Sequence, residues 1–183
     1  MSISTKRGDG GETDLLFGRR VSKTHHRVLA YGALDECNAT LGLARAFSKS
    51  DRVITEISLI QKELVGVMGE LATHEDDLER YRETQEGASE ALVERLSQLV
   101  NRLETQDEVS FARWATPGEA GSPAGAALDM GRTIVRRAER HVVDLVGQGL
   151  VTNPAMLAYL NRLSDVFWLL ARLEEEPRTP TSS

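Results

Sequence analysis

The chain has 183 residues, a mass of 20.2 kDa and a net charge of −6, from 22 basic and 28 acidic side chains. That length suits one domain with a buried core, and the acidic balance excludes a general nucleic-acid binder. No apolar run approaches the roughly 18 residues of a membrane span, the start MSISTKRGDGGETD lacks the apolar core of a secretory signal, and the single Cys37 cannot form an intramolecular disulfide, which together point to a cytosolic protein with no membrane partner.

Residues 1–26 hold Gly8, Gly10, Gly11 and Gly18 and little periodicity, so they read as an ordered loop or a tail. A first helix is predicted over 27–47, with Leu34, Cys37, Leu41 and Ala44 spaced 3-4-3. Ser50 or Asp51 can cap the second, whose apolar positions Val53, Ile57, Ile60, Leu64, Val67 and Leu71 form the clearest amphipathic pattern in the chain. Residues 75–87 are acidic and read as a connection. A third helix fits 89–103 on Leu92, Leu96, Leu99 and Leu103. The stretch 104–122 breaks the pattern with Pro117, Gly118 and Gly121 and carries Phe111 and Trp114; unstructured loops of this length are uncommon and often functional. A fourth helix fits 123–145, ended by Gly147 and Gly149, and a fifth begins at Asn153-Pro154, with Met156, Leu160, Leu163, Phe167 and Leu170 as its seam. No strand-like alternation is evident. The fold class is therefore all-α, a bundle of five helices over 27–173, with 1–26 as a separate segment and 174–183 as a disordered tail.

Chemistry concentrates in three places. On the fourth helix, at about 100° per residue, Arg132, Arg136 and Glu139 fall within a narrow arc away from the apolar stripe Ile134, Val135, Ala138, Val142 and Leu145. Stacked arginines repel, so they need an anion or acidic partners; the arc is either a solvated face or a polyphosphate clamp. The segment Thr5-Lys6-Arg7-Gly8-Asp9-Gly10-Gly11-Glu12-Thr13 is not a Walker A loop, but its glycines free backbone N–H groups to face an anion, or it is simply a flexible tail. Arg19, Arg20, Lys23 and Arg27 then form a basic run that fits an anionic ligand. Asp35 sits beside the apolar stripe at Leu34, and Asn161, Arg162 and Asp165 interrupt an apolar stretch. Cys37 lies on a seam and reads as a structural thiol. No Glu-x-x-His pair supports a di-iron site, and no Ser-His-Asp arrangement is readable.

Taken in order and at their distances, TKRGDGGET, RVSKTHHRVLAYGALDECNATLGLAR, GRTIVRRAERHVVDL and YLNRLSDVFWLLAR resemble the PduO-type ATP:cob(I)alamin adenosyltransferases over about residues 3–173. The resemblance implies a five-helix bundle assembled as a homotrimer with active sites between subunits. It implies transfer of the 5′-deoxyadenosyl group of ATP to the cobalt of cob(I)alamin, giving adenosylcobalamin and triphosphate, with Mg²⁺ as the accompanying ion. Thr5, Lys6, Gly8, Asp9 and Thr13 match the segment that wraps ATP. Lys23 and Arg27 match basic residues near the triphosphate. Arg132, Arg136, Glu139 and Asn161 match nucleotide-site residues from the neighbouring subunit, and Asp35 an acid that pairs with Arg132 across the interface. The family often has phenylalanine where Trp114 precedes Pro117-Gly118; the loop after that turn is longer here, and Asp129 replaces a residue that is commonly neutral or histidine. These departures cluster around the expected corrinoid pocket. A non-catalytic carrier or sensor of ATP or a corrinoid is the alternative. The catalytic reading further implies a cobalamin reductase and an adenosylcobalamin-dependent acceptor enzyme as partners.

Overall fold

The computed structural model describes residues 6–106, 109 and 114–175; Thr5, Phe111 and residues 176–183 of the expected tail lie outside them. The described residues form six α-helices: α1 (His26–Phe47), α2 (Asp51–Leu71), α3 (Leu78–Arg82), α4 (Glu90–Thr105), α5 (Pro123–Gly147) and α6 (Pro154–Glu175). The sixth is the short α3, preceded by a 3₁₀ turn over Glu75–Asp77, in the stretch expected to be a plain connection. Two short strands, β1 (Glu12–Asp14) and β2 (Arg20–Ser22), pair antiparallel with Thr13 opposite Val21, where no strand was expected. Three residues per strand are too few for an alternation to be read.

Helix starts follow local chemistry. The Ser50 hydroxyl accepts from Val53 N, Ser89 from Leu92 N, and Ser122 from Gly125 N at 3.0 Å, with Pro123 at the first helical position. Asn153 Oδ1 accepts from Ala155 N at 3.0 Å and starts α6. Packing nevertheless dominates. Val53, Ile57, Ile60, Leu64, Val67 and Leu71 are all fully buried. Each is worth roughly 1.5–3 kcal/mol on burial, against about 1 kcal/mol for a cap. Helix α5 packs on both α1 and α6, α1 also on α2, and α6 also on α4, so α5 and α6 share a long antiparallel seam.

Polar contacts fix the register of this apolar interior. Glu63 of α2 accepts from Tyr159 Oη of α6 at 2.9 Å and from Arg95 Nη2 of α4 at 2.9 Å, while Arg95 also reaches Glu56 at 3.1 Å. Burial and the Glu63 charge push the Tyr159 phenol well above its usual range. On α2, a Cβ at Gly66 would overlap the Glu86 carbonyl oxygen, and Tyr81 Oη donates to Gly66 O at 2.7 Å; only glycine admits the connecting segment this closely. Helix α6 continues through Glu174, which accepts from Ser48 Oγ at 2.7 Å and Lys49 N at 3.1 Å.

Candidate active site

Helices α5 and α6 each carry a polar stripe beside their apolar seam, and the two stripes face each other. On α5 it is Asp129, Arg132, Arg136 and Glu139; on α6 it is Asn161, Asp165, Trp168 and Arg172, at spacings that keep one helical face. Because the helices run antiparallel, the rungs match end to end. Arg172 Nη2 donates to Asp129 Oδ2 at 2.6 Å, Arg132 and Trp168 line the same cavities, and Asn161 Nδ2 donates to Glu139 Oε1 at 3.3 Å. The structure brings Glu139 and Asn161 into contact and sets Arg132 beside the cavities, while helical spacing puts the exposed Arg136 on the same face of α5. Trp168 and Arg172 were missed, although their spacing from Asn161 places them on its face.

Two cavities open along this groove. One, of about 460 Å³, lies between α4 and α6 and is lined by Val100, Glu104, Arg132, Arg162, Asp165 and Trp168 among others. A smaller one of about 100 Å³ lies under the turn after α4, lined by Trp114, Pro117, Asp129, Arg132, Thr133 and Trp168. Trp114 edges the smaller cavity while remaining 78% exposed. Asp129 is buried against Arg172, whose guanidinium also pairs with Glu175 at 2.7 Å and lies 5.4 Å from the Trp168 ring. Among the described residues Arg132 and Arg136 form no ion pair. Two cations left free in a protein of net charge −6 make a ready place for an anion.

The second element is the ribbon β1–β2. Its open end holds the Gly8–Gly11 turns, closed by Gly11 N to Gly8 O at 3.2 Å and by Lys23 N to Gly11 O at 2.9 Å. A Cβ at Gly8 would stand 3.0 Å from Lys23 Nζ, so the glycine lets that ammonium against the loop. Lys6, Asp9 and Lys23 are exposed there, and Thr13 is half-buried. The rest of the basic run is engaged by protein acids. Arg20 pairs with Glu12 and Asp14, Arg7 with Asp14, and Arg19 with Asp76 and Asp77. Arg27, read as a ligand cation, is 1% exposed and donates to Leu71 O, Leu150 O and Glu75 Oε2. Its cluster with Lys23 in sequence reflects helix docking as much as ligand binding.

The ribbon and the α5–α6 groove share no hydrogen bond or ion pair among the described residues. Asp35 is exposed on α1 and does not pair with Arg132 within one chain; its neighbour Glu36 pairs with Arg137 of α5 instead. Cys37 is fully buried, its Sγ 3.8 Å from Gly131 O, and burial pushes the thiol up to about 12, so it is the structural thiol expected.

Known proteins share this architecture. The family described as cobalamin adenosyltransferase matches residues 3–174. The corrinoid adenosyltransferase PduO of Salmonella typhimurium is 37% identical over 179 residues, covering 96% of this chain but 50% of that protein. The chain thus spans about half the length of the PduO relatives it matches, of which another comes from Citrobacter freundii. A corrinoid adenosyltransferase of Bacillus subtilis is 36% identical over 181 residues, 94% of this chain and 86% of the relative. A variant of the PduO-type ATP:corrinoid adenosyltransferase from Lactobacillus reuteri, solved in complex with cobalamin and ATP, matches with a TM-score of 0.79 at 32% identity, over 93% of this chain and 92% of that one. With its ribbon, its α5–α6 groove and a match that runs almost from end to end, the chain belongs to the cobalamin adenosyltransferase family.

Proposed function

We propose that this protein transfers the 5′-deoxyadenosyl group of ATP to the cobalt of cob(I)alamin. The observation that carries this reading is the α5–α6 groove, where Arg132 lines cavities edged by Trp168 and Trp114, Arg136 follows one turn along the same helix face, and neither arginine forms an ion pair among the described residues. The cobalt lone pair attacks the ribose C5′, a cobalt–carbon bond forms, the C5′–oxygen bond breaks, and triphosphate leaves with both electrons of that bond. The attacking atom is already strongly nucleophilic, so no side chain has to activate it. The protein instead aligns the reactants and excludes water.

Charge gathers on the leaving triphosphate. Arg132 and Arg136 face it from the groove and Lys6 and Lys23 from the ribbon; one well-placed donor of this kind contributes about 3–4 kcal/mol to a transition state. Thr5, Gly8, Asp9 and Thr13 complete the ribbon's wrap around the nucleotide. Arg27 acts indirectly, by fixing the start of α1 next to Lys23. Glu139 and Asn161 hold each other and offer polar atoms to the nucleoside. Among the described residues no group of three or more His, Cys, Asp or Glu side chains is placed to hold a metal ion. Mg²⁺, if it accompanies ATP, would neutralise charge on the leaving triphosphate alongside Lys6, Lys23, Arg132 and Arg136. Trp114 fills the space beneath the corrin once the lower axial ligand has left.

Among the described residues the ribbon and the groove share no hydrogen bond or ion pair within one chain, and Asp35 does not pair with Arg132 there. Both facts support a homotrimer in which one subunit's ribbon closes over its neighbour's α5, and Asp35 pairs with Arg132 across the interface. No helix is long and apolar enough to cross a membrane among the described residues. A cytoplasmic setting, with a reductase that supplies the cobalt electrons and an acceptor enzyme for the product, completes the reading. The test is anaerobic incubation with ATP, Mg²⁺ and pre-reduced cobalamin, following the absorbance of the cobalt–carbon product. Product formation that falls at least about a hundredfold in Arg132→Ala supports the assignment. Tight binding of both substrates without product would instead identify a carrier.

A further inference from the structure

A ribbon of three residue pairs is marginal on its own in water. Its strands bury little, and of the residues near its turn only Leu15 is in the core, 4% exposed. Its geometry must be imposed from outside: β2 runs into α1 at one end, where His25 N donates to Ser22 O at 2.9 Å, and at the turn end contacts reach the end of α2 and the segment after it. Leu16 N donates to Ala72 O at 2.9 Å, at the end of α2. Arg19 Nε donates to Asp77 Oδ2 at 2.5 Å and Arg19 Nη2 lies 3.3 Å from Asp76. The Arg80 guanidinium of α3 sits 4.3 Å from the centre of the Phe17 ring. Phe17 has φ 64°, a left-handed backbone that a phenylalanine adopts only when its surroundings hold it there. The hydrogen bond with Arg19 holds the Asp77 carboxyl below the usual carboxylate range, and Asp77 in turn raises Arg19. Among the described residues, the end with Gly8–Gly11 and Lys23 makes no hydrogen bond or ion pair with the 75–82 segment.

We propose that Arg19–Asp77 and Phe17–Arg80 form a latch that positions the ribbon for a nucleoside triphosphate, with Arg19, Asp77, Phe17 and Arg80 as positioning residues. The inference rests on the reading that the ribbon holds ATP. Released from the 75–82 segment, the ribbon explores other orientations, and ATP must then gather it back at the expense of affinity. The latch lies at the surface, with Asp77 half-buried, and makes no hydrogen bond or ion pair with the bundle core among the described residues, so its loss shows in nucleotide binding before it shows in stability.

The test compares steady-state kinetics and thermal melting of the full chain with Arg19→Ala, Asp77→Asn, Arg80→Ala and the double reversal Arg19→Asp with Asp77→Arg. Lys23→Ala serves as the reference for direct ATP contact. The latch predicts KM for ATP raised roughly three- to tenfold in each single variant, with kcat and the corrinoid KM within about twofold and Tm within about 2 °C. The double reversal should recover most of the lost affinity. If Lys23→Ala raises KM for ATP while the latch variants leave it unchanged, the latch is overturned and the ribbon's role stands. If Lys23→Ala and Lys6→Ala also leave it unchanged, both readings fall. Equal losses in kcat, both KM values and Tm would reduce these contacts to ordinary stability contacts and overturn the proposal.

Discussion

At the scale of single residues, the most consequential side chain outside the arginine arc is Asp129. Its carboxylate and Arg172 are 7% and 12% exposed, so the pair is desolvated, and Asp129 itself lines the small cavity edged by Trp114. Asn at 129 keeps the shape but leaves Arg172 with Glu175 as its one full counter-charge. We expect Asp129→Asn to lower stability by about 1–3 kcal/mol. A urea titration with an unshifted midpoint would show that Glu175 suffices. Trp114 belongs to the same cavity but is held from one side only. Reduction of cob(II)alamin needs the lower ligand displaced, whereas attack by cob(I)alamin does not. Trp114→Ala should therefore lose activity with cob(II)alamin plus reductant far more than with pre-reduced cobalamin, and Trp114→Phe should retain most of it. A four-coordinate cob(II)alamin signal in electron paramagnetic resonance that survives in Trp114→Ala would remove the indole from this role. The arc of Arg132, Arg136 and Glu139 was readable from helical angles alone. The Asp129–Arg172 pair was not, because it joins residues 43 apart through a packing that periodicity does not encode.

At the scale of elements, the starts of helices make a pH-dependent statement. His25 caps α1 by accepting from Arg27 N at 3.2 Å through Nδ1, which requires a neutral ring. Burial, then the nearby Arg27 charge, lowers the His25 pKa. A lowered folded-state pKa means that the unfolded chain takes up the proton first. Its stabilising contribution is complete above the ordinary histidine value near 6.5 and drains away as pH falls through the folded value. Unfolding free energy should thus decline between about pH 7 and pH 5, and His25→Asn, which keeps a cap, should flatten that decline. An identical slope in the variant would place the dependence elsewhere. Burial works against the Glu75 charge, but its own backbone N–H and Arg27 outweigh it and hold the carboxyl below its usual range, so its loss comes at lower pH and stays separable. The long helices were legible because apolar seams of four to six positions and Ser or Asn-Pro starts agree with each other. The ribbon and α3 were not. One has strands of three residues, and the other rests on Tyr81 alone among charged neighbours, so neither carries a period.

At the scale of the whole molecule, exposed apolar side chains fall on the same helices as Asp35 and Arg132. Leu43 and Phe47 of α1 and Met130 and Val143 of α5 are each at least half exposed, on the two helices that carry Asp35 and Arg132. We expect light scattering at micromolar concentration to give three times the 20.2 kDa chain mass, and Asp35→Arg to shift it toward one. A wild-type mass of a single chain would contradict the shared site.

The buried Arg27 ties this assembly to topology. One guanidinium binds the end of α2 at Leu71, the turn at Glu75 and the α5–α6 turn at Leu150, partners 44, 48 and 123 residues away along the chain. None of these places can open alone without stranding a charge in the core, so they should exchange amide hydrogens as one cooperative unit. It also bears on rewiring the chain. The exposed 147–149 bend looks like a natural point for inserting a tag or moving the termini, yet its far side is a capped arginine. The polar run at 83–86 is no better a place for new ends: its side chains are exposed, but the Glu86 carbonyl is packed against Gly66.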